Sequence, residues 1–430
     1  MEQLLNKYRF IPNLDEGQIA DIQLKGLRWT INQALKSPQY ALKLSNIHPG
    51  DLHSLKDLES LPFTDADDLR EGYPLPLLAV DEQEVVRVHA SSGTTGKRKI
   101  LAYTAKDADT FALQMARCYE LAGLTPMDRM QVCVGYGLWT AGAGFQLGSE
   151  KLGMMTVPVG PGNLEMHLRL LEDLQCTCLG ATASMALLLA EEVAKSGLAD
   201  RLALRRVICG AETRSEKMRN TIEEKLGLEG SYDIGGMTEM YGPGTAIECD
   251  AHAGLHYWAD LFIIEIIDPE TLRPVEPGEI GEMVVTSLCK EAVPLVRYRT
   301  HDLTRLIPGN CECGLHMPRH DRILGRSDDM FVFRGVNIYP GQIMEVIGGY
   351  AALGGEYRLE LSRDERGIDH LLLIVERAPQ LRTDIDSTLR TKLENDLHKK
   401  LLARIGVEIT DHGSLPRTFG KTRRLVDLRQ

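Results

Sequence analysis

Short β-branched runs alternate with stretches of helical length through the N-terminal part of the chain: VVRVHA near residue 85, MMTVPV near 154 and RRVICG near 205. A parallel sheet needs this arrangement, because each strand is crossed back to the next by a helix that covers it. The expected class is therefore α/β. At 430 residues the chain is longer than one hydrophobic core usually grows, so a large domain and a smaller one are predicted. Thr104, with Asp107 three positions on, has the hydroxyl cap and acidic partner of a helix start directly after a glycine-rich run.

From FIIEII through GEMVVTSL the pattern changes to strands joined by proline and glycine turns, as in DPETLRPVEPGEIGE, and predicts a β-rich subregion at about 245–325. Beyond GRSDD it changes again. FVFRGVNIYP is strand-like, and YRLELSRDERGIDHLLLIVER reads as two strands about a turn. Ile385, Leu389, Leu393, Leu397 and Leu401 then recur at helical spacing before Gly406, which is expected to stop the helix. The domains expected are 1–326 and 327–430, the second a compact α/β unit of common domain size.

The 49 Lys and Arg are outnumbered by 61 Asp and Glu, a formal charge of −12, which is the wrong sign for a phosphate-backbone binder. Nucleic acid is excluded as a partner. No export signal opens the chain and no apolar stretch reaches bilayer length, so a soluble cytoplasmic protein is expected. Nine cysteines, an odd number, point to free thiols or metal ligands rather than to disulfides.

The run SSGTTGK sets two glycines, four hydroxyl residues and a lysine in seven positions. A Walker loop needs four residues between its glycines and Lys followed by Ser or Thr. Here only Thr94 and Thr95 separate Gly93 from Gly96, and Arg98 follows Lys97. The loop can still surround an anion, because glycines let main-chain N–H groups converge while Ser91, Ser92, Thr94 and Thr95 add hydroxyl donors and Lys97 adds charge. On its own the run would also suit a solvated turn.

Further along come DIGGMTEMYGPG, RYRTHD, GRSDDMFVFRGVNIYP and PRTFGK. In this order and approximate spacing the five segments resemble the adenylate-forming ligase superfamily, and within it the phenylacetate–coenzyme A ligases, over nearly the whole chain. The resemblance implies a large multi-sheet N-terminal domain, a small mobile C-terminal domain, and synthesis of an acyl-adenylate from a carboxylic acid and ATP before transfer to coenzyme A. It implies that Thr94 and Lys97 hold the departing phosphates with Ser91, Ser92, Gly93, Thr95 and Gly96 around them, and that Glu239 ligates Mg²⁺. By the same resemblance Gly210, Ala211 and Glu212 lie along adenine, with Gly235, Met237 and Thr238 nearby. Asp302 would grip the ribose, Arg322 and Arg326 would lie beside the nucleotide, Asp328 would be the hinge, and Gly335 would meet the pantetheine arm of CoA. Lys421, delivered by the small domain, would bridge carboxylate and α-phosphate, where a cation stabilises charge that peaks in the transition state. A homodimer is usual among such relatives.

Relatives usually carry Tyr where this chain has Gly235, so the adenine-stacking ring is missing; Tyr232 and Tyr241 are the nearby rings that could replace it. His301 stands where Gly or Arg is common and is given no role. For the acid, Tyr136, Trp139 and Phe145 in VGYGLWTAGAGFQLGSEKLG are candidate walls with Ala181 and Gly236, the alternative being plain core. Ala181 and Ser184 are small and leave room for an aryl or arylacetic acid, or a bulkier indolic one. Separately, Cys311 and Cys313 with Cys249 and His256 make a Cys₃His set suited to structural zinc, with His252 as a competing ligand. Besides a CoA ligase, the motifs leave open an adenylate-forming enzyme that makes amides or adenylylates a coenzyme, and a non-catalytic nucleotide binder.

Overall fold

The structure, a computed structural model, describes residues 8–91, 98–212, 214–334, 336–365, 368–378, 386–415 and 424–429. The chain divides into two compact units, Met1–Thr300 with Thr304–Arg322, and His301–Leu303 with Ile323–Gln430. The boundary expected at residue 326 falls just inside the second.

The first unit opens with α1 (Glu16–Ala34), whose start is fixed by Asp15 and Gln18 exchanging side-chain to main-chain hydrogen bonds, and with the short α2 (Pro38–Lys43). β1 (Arg87–Ala90) and β2 (Ile100–Tyr103) form an antiparallel hairpin with Ala90 opposite Ile100. The glycine-rich run is the connection of that hairpin. α3 (Ala105–Leu121) begins with the reciprocal Thr104–Asp107 cap read from the sequence, each bond 3.1 Å. Asp107 also accepts from the main-chain N–H groups of Glu291 and Ala292, so one buried carboxylate starts a helix and holds a distant loop.

Strands and helices then alternate: β3 (Arg129–Val132), α4 (Thr140–Leu152), β4 (Met155–Pro158), α5 (Leu164–Asp173), β5 (Cys178–Thr182), α6 (Ala183–Ser196), β6 (Arg206–Gly210), α7 (Glu216–Leu226) and β7 (Gly230–Met237). β4, β3, β5, β6 and β7 lie in that order, all parallel. Continuous buried runs such as Val207–Ile208–Cys209 are what strands covered on both faces require. Gly180 in β5 shows how tightly the cover sits, since a Cβ there would lie 2.4 Å from the Phe145 ring.

After β7 the sheet turns antiparallel. β8 (Gly242–Glu248) folds back on β7, and β9 (Leu255–Tyr257) on β8. β10 (Phe262–Ile267), β11 (Gly281–Ser287) and β12 (Tyr298–Thr304) follow one another in a second sheet, and β13 (Leu306–Ile307) and β14 (Arg319–His320) return to the edge of the first. Among the described residues no helix is long and apolar enough to cross a membrane.

In the second unit, β15 (Gly325–Arg326) pairs with Leu303 and Asp302, and β16 (Phe331–Phe333) pairs with β17 (Val336–Ile338) as a hairpin. α8 (Pro340–Gly348), β18 (Leu353–Arg363), β19 (Asp369–Arg377), α9 (Asp386–Leu401), β20 (Gly406–Thr410) and β21 (Leu425–Asp427) complete it, with strand order β20-β19-β18-β21. Leu393, Leu397 and Leu401 pack with Leu359, Leu361, Leu373 and Val375 in its core, as the periodicity predicts; Ile385 lies outside the described residues. Gly406 does not stop the helix. α9 ends at Leu401, Leu402 takes the left-handed conformation with φ 55°, and Gly406 opens β20.

Candidate active site

The hairpin β1–β2 delivers its two ends to one place. Ser91 N–H donates to Lys99 O at 3.1 Å, and Ala90 N–H donates to Leu138 O at 2.8 Å, which ties the base of the glycine loop to the YGLWTAG segment. The Ser91 hydroxyl is buried and finds no partner among the described residues. Ser92, Gly93, Thr94, Thr95, Gly96 and Lys97 lie outside the described residues, as do Gly335 and Lys421.

Lys99 meets the glutamate of the MTE motif. Glu239 sits on a single 3₁₀ turn, Thr238–Met240, between β7 and β8, and is 5% exposed. Its Oε1 forms an ion pair with Lys99 Nζ and accepts from Tyr298 Oη at 3.2 Å, while Lys99 Nζ also donates to Tyr298 Oη at 3.0 Å. Burial alone would raise the Glu239 carboxyl, but the Lys99 ammonium, with Tyr298, outweighs it and holds the pKa below the usual range. A buried carboxylate kept ionised, on a turn beside a glycine hairpin, is a hard oxygen ligand of the kind Mg²⁺ takes. Behind the turn, Lys290 donates to Glu239 O at 2.7 Å. Burial pulls the Lys290 ammonium down to about 8, against the opposing charges of Asp107 and Glu239.

The segments expected to hold adenine and acid are brought together. The Glu212 carboxylate accepts from Ser184 N–H at 2.8 Å and Ser184 Oγ at 2.9 Å, at the N-terminus of α6, where a helix favours negative charge. Gly210 ends β6 opposite Ile234, and Ala211 has φ 70°. Gly235 and Met237 are partly exposed and Gly236 is exposed at the end of β7, whereas Thr238 is buried. Tyr232 and Tyr241 do not replace the absent adenine ring: Tyr232 is buried with its hydroxyl on Asp250 at 2.6 Å, and Tyr241 is wholly buried. Tyr136 is 38% exposed and Trp139 partly so. Phe145 is only 2% exposed, stacked on β5 at Gly180, and Ala181 is wholly buried; this arrangement gives Phe145 a packing role in the core.

In the second unit, Asp302 Oδ1 accepts from Arg326 Nη1 at 2.9 Å, and Arg326 also donates through Nε and Nη2 to both oxygens of Asp328 at 2.8 Å. Burial would raise the Asp328 carboxyl, but Arg326 holds it low. The residues expected to grip ribose, flank nucleotide and form the hinge thus share one guanidinium. His301 donates or accepts at Ser327 Oγ at 3.1 Å; its φ of 63° is a conformation glycine adopts freely. Arg322, in the first unit, is exposed, with its main chain held by Asp321 and Thr304.

Away from these residues, the donor atoms of Cys249, His256, Cys311 and Cys313 lie within 4.8 Å of one another. Cys249 Sγ is 3.5 Å from Cys311 Sγ, and Cys313 Sγ is 3.3 Å from His256 Nε2, close to the edges of about 3.8 Å of a tetrahedron with Zn–S of about 2.3 Å. His256 Nδ1 donates to Met317 O at 2.7 Å, which leaves Nε2 facing the sulfurs as an acceptor, the usual support for a metal-bound imidazole. Hydrogen bonds from Cys249 and His256 to the Cys313 sulfur pull the Cys313 thiol below its usual range, while the same bond pushes the Cys249 thiol up. His252, the competing ligand, lies instead against Glu248 at 3.3 Å and stacks on Tyr232. Three soft sulfurs and one oriented imidazole fit zinc.

Comparison with known proteins bears on what this geometry belongs to. The AMP-binding enzyme family matches residues 32–289, and the AMP-binding enzyme C-terminal domain matches residues 335–429. Phenylacetate-coenzyme A ligase of Escherichia coli (strain K12) is 40% identical over 423 residues, 96% of this chain and 95% of its own length. The chain belongs to the phenylacetate–coenzyme A ligase family. Phenylacetate-coenzyme A ligase of Pseudomonas putida is likewise 40% identical, over 95% of this chain and 93% of that one. Among solved structures, 2-hydroxyisobutyryl-CoA ligase in the postadenylation state, in complex with R3-HIB-AMP, matches with a TM-score of 0.87 and 27% identity, covering 99% of this chain and 94% of that one. The same ligase in complex with 2-HIB-AMP and CoA, in the thioesterification state, matches with a TM-score of 0.71 and 27% identity, covering 100% of this chain and 94% of that one.

Lys99, Tyr298 and Lys290 are site residues that no motif marks as such. Lys99 stands two positions beyond SSGTTGK and Tyr298 lies inside RYRTHD, and the available signal is a charge at the mouth of β2. Lys290 carries its own: a lone lysine three residues after GEMVVTS, a strand buried along its whole length.

Proposed function

We propose that the protein activates an aryl or arylacetic acid with ATP to an acyl-adenylate, releasing pyrophosphate, and transfers the acyl group to the thiol of CoA, releasing AMP. As a member of its family it is an ATP-dependent acid–thiol ligase working through an adenylate. The observation that carries the substrate class is 40% identity to phenylacetate-coenzyme A ligases over almost the whole chain.

The residues divide the work by charge. Thr94 and Lys97, with Ser91, Ser92, Gly93, Thr95 and Gly96, hold the phosphates. Glu239, ionised and buried beside that hairpin, is the ligand for Mg²⁺, which when bound neutralises phosphate charge. Asp302 accepts from the ribose hydroxyls, a task for an acceptor-only group, and Arg326 orients it through the bond from Nη1 to Oδ1. Lys421 supplies a cation to the transition state. Tyr136 and Trp139 are proposed as walls of the acid site, and Gly335 as the CoA contact. Cys249, His256, Cys311 and Cys313 hold a structural zinc that ties the β8–β9 turn to the β13–β14 loop. The proposed compartment is the cytoplasm, where cysteines outside disulfides stay reduced, and the proposed assembly is a homodimer.

ATP–pyrophosphate exchange across a panel of phenyl-, phenylacetic and indolic acids tests the first step, and thioester formation on adding CoA tests the second. Acid-dependent exchange without thioester would point to another acceptor. No exchange with any acid would overturn the reading.

A further inference from the structure

The turn that carries Glu239 is held by side chains on four successive carbonyls. Tyr103 Oη lies 3.1 Å from Thr238 O and 3.0 Å from Tyr241 O, Lys290 Nζ donates to Glu239 O at 2.7 Å, and Gln114 Nε2 approaches Met240 O at 3.5 Å. These three side chains come from β2, from α3 and from the segment after β11. A lone 3₁₀ turn has few hydrogen bonds of its own, and this one leads into Tyr241 at φ 74°, a conformation a bulky residue adopts only when its surroundings impose it.

Lys290 is the unusual member of the set. It is 0% exposed, and fully buried lysines are rare without a paired charge. Its hydrogen bond runs to a carbonyl, and its ammonium lies 5.2 Å from the Tyr103 ring centroid and 5.4 Å from that of Tyr241, so two aromatic faces take up part of the charge. A methionine would fill the same space without burying a cation. What the ammonium adds is a charged donor on the main chain of the one residue whose carboxylate, on the other side, meets Lys99 and Tyr298.

We propose that Lys290 is a positioning residue for the magnesium-dependent step: by anchoring the carbonyl of Glu239, it fixes the direction in which the Glu239 carboxylate is presented to the cation. The proposal rests on Glu239 being the Mg²⁺ ligand. It follows that Lys290 acts on metal affinity and adenylate formation and leaves thioester formation from preformed acyl-adenylate alone.

The test is a Mg²⁺ titration of Lys290→Met, Lys290→Gln and Glu239→Gln, followed both by ATP–pyrophosphate exchange and by calorimetric binding of ATP without acid at each Mg²⁺ concentration, together with single-turnover thioester formation from added acyl-adenylate and CoA. Lys290→Met removes the donor at similar volume; Lys290→Gln keeps a neutral donor. The expected result is a half-saturating Mg²⁺ concentration at least tenfold higher for Lys290→Met, a smaller rise for Lys290→Gln, kcat at saturating Mg²⁺ within a few-fold of wild type, and unchanged thioester formation. If Glu239→Gln raises the Mg²⁺ requirement and a folded Lys290 variant of either kind does not, the proposal fails and the role of Glu239 stands. If Glu239→Gln leaves the requirement unchanged, the metal reading itself fails. Equal loss in both half-reactions at every Mg²⁺ concentration would show a merely structural lysine and also overturns the proposal.

Discussion

Restoring the missing adenine platform should tighten ATP binding, and the structure says which of two adjacent glycines will accept the ring. A Cβ built on Gly235 meets nothing nearer than Leu255 Cδ2 at 3.3 Å, the tip of a flexible side chain, with Ala246 at 3.8 Å. A Cβ on Gly236 would lie 2.2 Å from Gly242 O and 2.6 Å from Pro243 Cα, main-chain atoms in the facing strand that cannot step aside. Stacking of a base on an aromatic ring is worth about 1–3 kcal/mol, and pushing Leu255 off its rotamer returns about 0.5–1.5 kcal/mol. Central values leave about 1 kcal/mol, so Gly235→Tyr should lower the Kd for ATP about fivefold. Calorimetric titration of ATP with Mg²⁺ measures it, and Gly236→Ala serves as the contrast, losing about 1–3 kcal/mol of stability to overpacking. A Gly235→Tyr protein that unfolds at the wild-type temperature yet binds ATP no more tightly would refute both the adenine assignment and the reasoning from space.

Lys421→Ala should lower acyl-adenylate formation about a hundred- to a thousandfold, the cost of removing one preorganised transition-state charge, with unchanged thermal unfolding; near-normal pyrophosphate release would count against the assignment. Metal analysis should find about one zinc per chain, and Cys311→Ser should lose it and unfold at lower temperature, because the site joins two loops; less than a tenth of an equivalent in wild type would end the zinc proposal. Phe145→Ala should cost about 3–5 kcal/mol in urea unfolding, as a buried aromatic does, without changing which acids are activated. Tyr136→Ala should do the reverse, altering relative kcat/KM among aryl acids at constant stability, and a matching selectivity shift in Phe145→Ala would return that ring to the acid site.

What the sequence discloses of this protein depends on whether the physical cause is local. The alternating runs, the Thr104–Asp107 cap and the leucine spacing of α9 are local, since hydrogen bonds and apolar faces between near neighbours produce them, and each appears where the pattern puts it except VVRVHA, which pairs antiparallel with β2 outside the parallel sheet. Gly406 opens a strand and does not end the helix, because a glycine after a helix suits both; α9 stops before Leu402, which is left-handed without being glycine and is exposed to solvent, so no single-residue preference marks the end. The Cys₃His group joins segments about sixty positions apart, and its donor types disclosed it, because cysteine and histidine have few other reasons to gather. The charge arrangement around Glu239 is different in kind. Lys99 lies about two hundred positions from Lys290 and Tyr298, and a lysine in sequence gives no sign of whether its ammonium will sit in water or against a buried carbonyl. Only the fold turns Lys290 from a surface charge into a fixed one, so the residues that hold a reactive carboxylate in place stay hidden from motif reading even where the carboxylate itself does not.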